Sequence, residues 1–103
     1  MLIYNTTYQV DDKDAENFII WIHQVFIPKA QEGGLVSKAR LTRILSHRNE
    51  SGECFSLQFE VESSSILHKW YSSTGNVLNQ EMLKVFDNNV VGFTTLMEVI
   101  EES

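Results

Sequence analysis

The hydrophobic periods of this 103-residue chain run strand, helix, strand, and then strand, helix, strand again. Leu2, Tyr4, Thr6, Tyr8 and Val10 alternate with Ile3, Asn5, Thr7 and Gln9, the period-two pattern of a first strand over residues 2–10. Ala15, Phe18, Ile19, Ile22, Val25 and Phe26 then recur at helical spacing. Asp11 or Asp12 can cap this helix, and Asp14 and Glu16 suit its positive end. Pro28 has no amide to offer the carbonyl of Gln24, which predicts a kink or an irregular last turn before Gly33 and Gly34 end the element.

A second strand is expected from Val36 to His47, with Ala39, Leu41, Arg43 and Leu45 on one side and Arg40, Thr42 and Ile44 on the other. Asn49 to Gly52 reads as a turn. The third strand, Glu53 to Glu62, sets Phe55, Leu57, Phe59 and Val61 against Cys54, Ser56, Gln58 and Glu60. Ser63, Ser64 and Ser65 supply caps for a second helix, whose buried stripe is Ile66, Leu67, Trp70 and Tyr71. Thr74, Gly75 and Asn76 are expected to interrupt it. A shorter helix from Gln80 to Phe86 then buries Met82, Leu83 and Phe86, and Val90 to Ile100 is the last strand.

Two strand–helix–strand halves predict an α+β chain of ferredoxin-like βαββαβ topology: a four-stranded antiparallel sheet with helices on one face, in a single domain spanning residues 1–103. The first and third strands are central. The helix-free face is mixed, with Ile3, Ile44 and Cys54 among Asn5, Thr7, Ser56 and Gln58. A two-layer domain has to cover its apolar surface, so a homodimer joined through this sheet face is expected, in the manner of a dimeric α+β barrel. Ile20 and Ile27, two turns apart on the first helix, suggest a further contact line.

Composition excludes several function classes. The formal charge is −6, and Lys38, Arg40 and Arg43 are too few to meet a phosphate backbone, so no nucleic-acid partner is expected. No apolar run reaches the ~20 residues of a membrane span. The start MLIYNTTYQVDD lacks a basic leader, and Cys54 is the only cysteine; a cytoplasmic protein without membrane contact is expected. His23, His47 and His68 are not spaced as helical metal pairs, so neither a metal nor another cofactor is expected. Cys54 reads as a small buried hydrophobe, not a nucleophile. No Gly-rich phosphate loop or GxSxG elbow is present.

The remaining candidates are polar residues of the helix-free face. Asn5, Thr7, Arg40, Ser56, Gln58 and Glu60 are the expected lining of a small-molecule site. There Glu60 would serve as a base if burial raised its pKa, and Arg40 would hold a carboxylate or oxyanion at two points. The plainer account of the last two is a cross-strand Glu60–Arg40 pair of little energetic value.

The segments MLIYNTTYQVD, WI…VFIPKAQEGGLVSKARLTRIL, FSLQFEVES and VVGFTTLMEVI resemble a family of small uncharacterised bacterial proteins, catalogued as a domain of unknown function. The resemblance covers nearly the whole chain and implies the dimeric α+β barrel superfamily, which includes cofactor-free monooxygenases, heme-degrading enzymes, isomerases and proteins without known activity. Many members of the family carry a His directly before the Ile-Pro pair; that position is Phe26 here, which weakens any catalytic reading. Heme-degrading relatives use an Asn on the first strand with a His and a Trp. Asn5, His68 and Trp70 offer those residue types, but His68 and Trp70 lie two apart on a helix and so point about 200° from one another. The topology, the half-polar sheet face and the missing catalytic motif together point to a homodimeric small-ligand-binding or interaction module without established catalysis. The alternative is a cofactor-independent monooxygenase or isomerase using a cleft on the helix-free face.

Overall fold

Four strands form one antiparallel sheet in the order β2-β3-β1-β4: β1 (Leu2–Val10), β2 (Ser37–Arg43), β3 (Glu53–Val61) and β4 (Val90–Glu98). The computed structural model describes residues 1–46 and 52–103. His47 of the expected second strand, and Asn49, Glu50 and Ser51 of the expected turn, lie outside the described residues. The fold is ferredoxin-like, with β1 and β3 central as the periodicity predicts.

Each crossover is an unbroken helical arm with a π turn in its middle. The first joins α1 (Ala15–Trp21) through Ile22–Phe26 to α2 (Ile27–Gln31). The Ile27 amide bonds the carbonyl of Ile22, five residues back. The wide turn thus lies just ahead of Pro28, which starts α2 where its missing amide matters least. This is the irregularity expected there, but it falls before the proline and not after it. The inserted residue also rotates the rest of the arm, so Ile20 stays exposed while Ile27 packs against the core, and the two do not form one line.

The second arm corrects the expected break. α3 (Ser64–Trp70) is capped by Ser63, whose hydroxyl accepts from the Ile66 amide at 3.3 Å. It continues through a π turn, Tyr71–Gly75, directly into α4 (Asn76–Phe86). Gly75 does not interrupt the arm. It is buried because Trp70 lies on it: a Cβ there would stand 2.6 Å from Trp70 Cζ3 and 2.9 Å from Tyr71 Cδ1. The π turn shifts the buried face, so Leu78, Met82 and Phe86 point inward, while Tyr71 and Leu83, expected inside, are exposed.

The core fills the space between these arms and the sheet. Phe18 is its centre, with ring centroids 5.2 Å from Tyr8, 5.4 Å from Phe55 and 5.9 Å from Phe86. Trp70 lies 6.1 Å from Phe59 and 5.8 Å from Tyr4, and its indole N–H donates to the carbonyl of Ala30 at 2.8 Å. That bond ties the second arm to the end of the first.

The two edges of the sheet differ. On β2 the pairing slips between Ser37 and Arg40, and Lys38 adopts φ 52°. Regular strand therefore starts at Ser37 and ends at Arg43. Leu45 lies beyond the strand and is exposed, and Arg43 lies over the Phe55 ring at 5.3 Å. β4 runs straight along β1 to Glu98 but is buried only at Val90, since neither arm reaches over it.

Gly75→Ala should cost about 1–3 kcal/mol in urea unfolding, because the methyl has nowhere to go without displacing Trp70. Gly33→Ala, where a Cβ meets nothing within 4 Å, should stay within about 0.5 kcal/mol of the parent. Equal costs at the two glycines would contradict the packing role of Gly75.

Candidate functional site

The sheet register brings the expected polar residues onto one face. Arg40, Gln58, Asn5 and Thr95 form one cross-strand row, and Thr42, Ser56, Thr7 and Phe93 the next; Glu60 sits opposite Ile3 and Ser37. The Ser56 hydroxyl donates to the side-chain carbonyl of Asn5, and Asn5 Nδ2 donates to Thr7 Oγ1 at 3.2 Å. Asn5 is 8% exposed, so these bonds satisfy a buried amide. Thr7, Ser56, Gln58 and Glu60 are half-buried and Arg40 is exposed.

Glu60 pairs with Lys38 at 3.8 Å, not with Arg40. The slip at Lys38 explains the change of partner, since it turns that lysine toward β3. Arg40 makes no ion pair among the described residues. The surface is therefore a flat, largely self-satisfied polar patch. Its apolar border is on β4, where Val91, Phe93 and Met97 stand exposed.

The hollows of the surface lie elsewhere. One of about 290 Å³ is lined by Asp11 and Asp12 with Asn88 and Asn89. Another, of about 390 Å³, takes in Glu60 and Glu62 near Gly34. A third, of about 480 Å³, lies between the arms at Lys29, Glu32 and Glu81, where Lys29 and Glu81 pair at 3.5 Å.

The helix side of the sheet carries a site that periodicity alone does not reveal. Between α4 and the uncovered β4 a groove of about 170 Å³ reaches down to Tyr4, Thr6 and Tyr8 of β1, with Met82 and Leu83 on one wall and Val90 and Gly92 on the other. It adjoins a wider hollow of about 380 Å³ bounded by Leu67, His68 and Tyr71; Tyr4, Asn79 and Thr94 line both. Gly92 lets the Tyr8 ring pack onto the strand at the groove's inner end: a Cβ there would meet that ring at 3.0 Å. The signal was present in the sequence. A face that alternates Tyr4, Thr6 and Tyr8 carries a hydroxyl at each step, opposite Thr94 and Gly92 of the partner strand.

Burial governs the chemistry of these phenols. Desolvation raises the pKa of Tyr4 and, more strongly, that of Tyr8 above the ordinary 10.0, while the nearby Thr6 hydroxyl works in the opposite direction. Both stay protonated at neutral pH and can donate.

The heme arrangement fails on geometry. Trp70 is buried and bonded to Ala30, His68 faces outward, and Asn5 is on the opposite side of the sheet. Cys54 is half-buried on the helix-free face. Among the described residues, no group of three His, Cys, Asp or Glu side chains could hold a metal ion, and no helix is long and apolar enough to cross a membrane.

Residues 1–100 match the family described as Domain of unknown function (DUF4286). The chain belongs to this family. No curated protein matches it. Solved structures share the fold of this DUF4286 member at low identity. A candidate antibiotic biosynthesis monooxygenase from Deinococcus radiodurans superposes with a TM-score of 0.73 at 18% identity, over 100% of this chain and 96% of that one. Two dimeric ferredoxin-like proteins from an uncultured marine organism give 0.72 at 14% identity, over 100% and 98% of the two chains, and 0.70 at 15% identity, over 99% and 97%.

The raised tyrosine pKa values carry a sign. The protonated phenols belong to the folded state, so their contribution is whole below pH 10.0 and is lost as pH rises through the raised folded values. Melting temperature should fall as the solution is taken above pH 10.0, and Tyr8→Phe should flatten that fall. An unchanged alkaline profile in Tyr8→Phe would refute the assignment to Tyr8.

Proposed function

We propose that this protein works as a homodimer whose helix-free sheet faces meet, and that it is a small-ligand-binding module without a catalytic step of its own. The observation that carries the dimer is the exposed stripe of β4. Val91, Phe93 and Met97 are 50%, 64% and 38% exposed on one face of one strand. Burying a side chain of the size of Phe93 is worth about 1.5–3 kcal/mol.

The edges support the same reading. β2 is guarded by its slip, by Lys38 and by the Arg43–Glu53 pair at 2.7 Å. β4 presents no charge before Glu98 and no irregularity, which is the kind of edge that proteins cover. The two marine relatives described as dimeric add support at the level of the fold. In such a dimer, Asn5, Thr7, Arg40, Ser56, Gln58 and Glu60 would line the space between the sheets and face any ligand held there. A cytoplasmic setting fits the single free Cys54.

A second reading, a cofactor-independent monooxygenase or isomerase working on that same face, has the described role of the Deinococcus relative in its favour. It needs a cleft that two copies would create, because none of the five hollows described above is lined by Asn5, Thr7, Arg40, Ser56 or Gln58.

Light scattering on a sizing column decides the assembly. The expected mass is twice the 11.9 kDa of one chain, falling to a single chain in Phe93→Glu. A monomer of the parent protein at high micromolar concentration would overturn the dimer.

A further inference from the structure

The groove between β4 and α4 has a chemistry unlike the rest of this acidic surface. The three other hollows each carry carboxylates: Asp11 and Asp12, Glu60 and Glu62, Glu32 and Glu81. Neither part of the groove is lined by an Asp, Glu, Lys or Arg, although the chain bears a net charge of −6. The polar groups of its inner part are neutral: the phenols of Tyr4 and Tyr8, the hydroxyls of Thr6 and Thr94, and the amide of Asn79; Ser64, His68 and Tyr71 join them only in the wider hollow. Its apolar surface comes from Met82, Leu83 and Val90 and from the faces of the tyrosine rings.

Each element sets one property of an occupant. With no side chain at Gly92, the Tyr8 ring closes onto the β4 backbone and the inner floor of the groove is flat, which suits a flat group. Tyrosine faces favour aromatic partners. Phenols held protonated by burial, with the Asn79 amide, donate to an acceptor such as a carbonyl oxygen. In the inner part an ionised ligand would leave water to meet no opposite charge, which is costly. An apolar pocket with a few convergent polar groups is the usual form of a small-molecule site.

We propose that the β4–α4 groove binds an uncharged, flat aromatic molecule bearing a carbonyl, its ring lodged beside Tyr8 and Gly92 and its oxygen within reach of the Tyr4 hydroxyl and the Asn79 amide. The site is on the opposite side of the sheet from the proposed dimer face, so it stands whether or not two copies pair there. It differs from the polar patch of Asn5 and Gln58 in both position and ligand charge.

The test is an amide NMR titration of the whole protein with acetonaphthone, and in parallel with naphthoate, which has nearly the same shape but a negative charge. Saturable shifts should centre on Tyr4, Asn79, Gly92 and Thr94, with naphthoate at least about tenfold weaker, the equivalent of one well-made hydrogen bond or more. Gly92→Val should abolish binding by raising a side chain from the flat floor. Because that change also presses on Tyr8, Thr94→Trp, at an exposed strand position, provides a second block that leaves the core untouched. Binding retained in a folded Thr94→Trp would overturn the placement. So would shifts centred on Asn5, Gln58 and Phe93. Equal affinity for naphthoate would overturn the ligand class, and no saturable binding up to the solubility of acetonaphthone would overturn the site.

Discussion

The hydrogen bond from the Trp70 indole to the carbonyl of Ala30 holds the two helical arms together. It is buried, joins residues 40 apart in sequence, and satisfies a carbonyl near the end of the first arm, where helical partners run out. The same indole stacks near Phe59 and Tyr4 of the two central strands. One side chain thus touches both arms and both central strands. Its position requires Gly75 above it, and the π turn at Tyr71–Gly75 brings that glycine round to meet the ring. Such a turn costs helix regularity, which is why it survives where packing needs it.

The cover of the sheet is lopsided. The arms lie over β1 and β3 and reach β2 at Ala39 and Leu41, which pack against the core. They stop short of β4. On its outer face β4 leaves Val91, Phe93 and Met97 in solvent; on its inner face it leaves a groove floored by tyrosines. Every functional suggestion for this protein depends on that one uncovered strand.

Much of this was legible in the residues. Period-two alternation placed all four strands, and the topology rules ordered them, because both depend on local pattern and chain handedness. The polar row from Arg40 to Asn5 was legible for the same reason: register is set by alternation. The π turns were not. A wide turn is chosen by whether Trp70 can close on Gly75 and whether Ile22 can serve Ile27, which are tertiary and backbone matters. Hence Gly75 read as a break, Leu83 as buried and Ile27 as exposed. The groove was missed for a different reason. Tyr4, Thr6 and Tyr8 were correctly assigned to one face, but alternation does not show that the arms end before covering it. The ion partner of Glu60 likewise turned on a slip at Lys38 that no period foretells.

The straightness of β4 has a consequence for how this chain can vary. Exposed segments usually accept insertions and deletions, since little is packed against them. β4 is exposed along most of its length, yet its odd-numbered side chains belong to one surface and its even-numbered ones to another. Removing a single residue near its start would exchange the two sets, setting Phe93 opposite Tyr8 where only the bare backbone of Gly92 now fits and turning Gly92 and Thr94 to the outer face. Substitution along this strand is cheap for folding; a change of length is not, and related chains should vary in its letters far more than in its count.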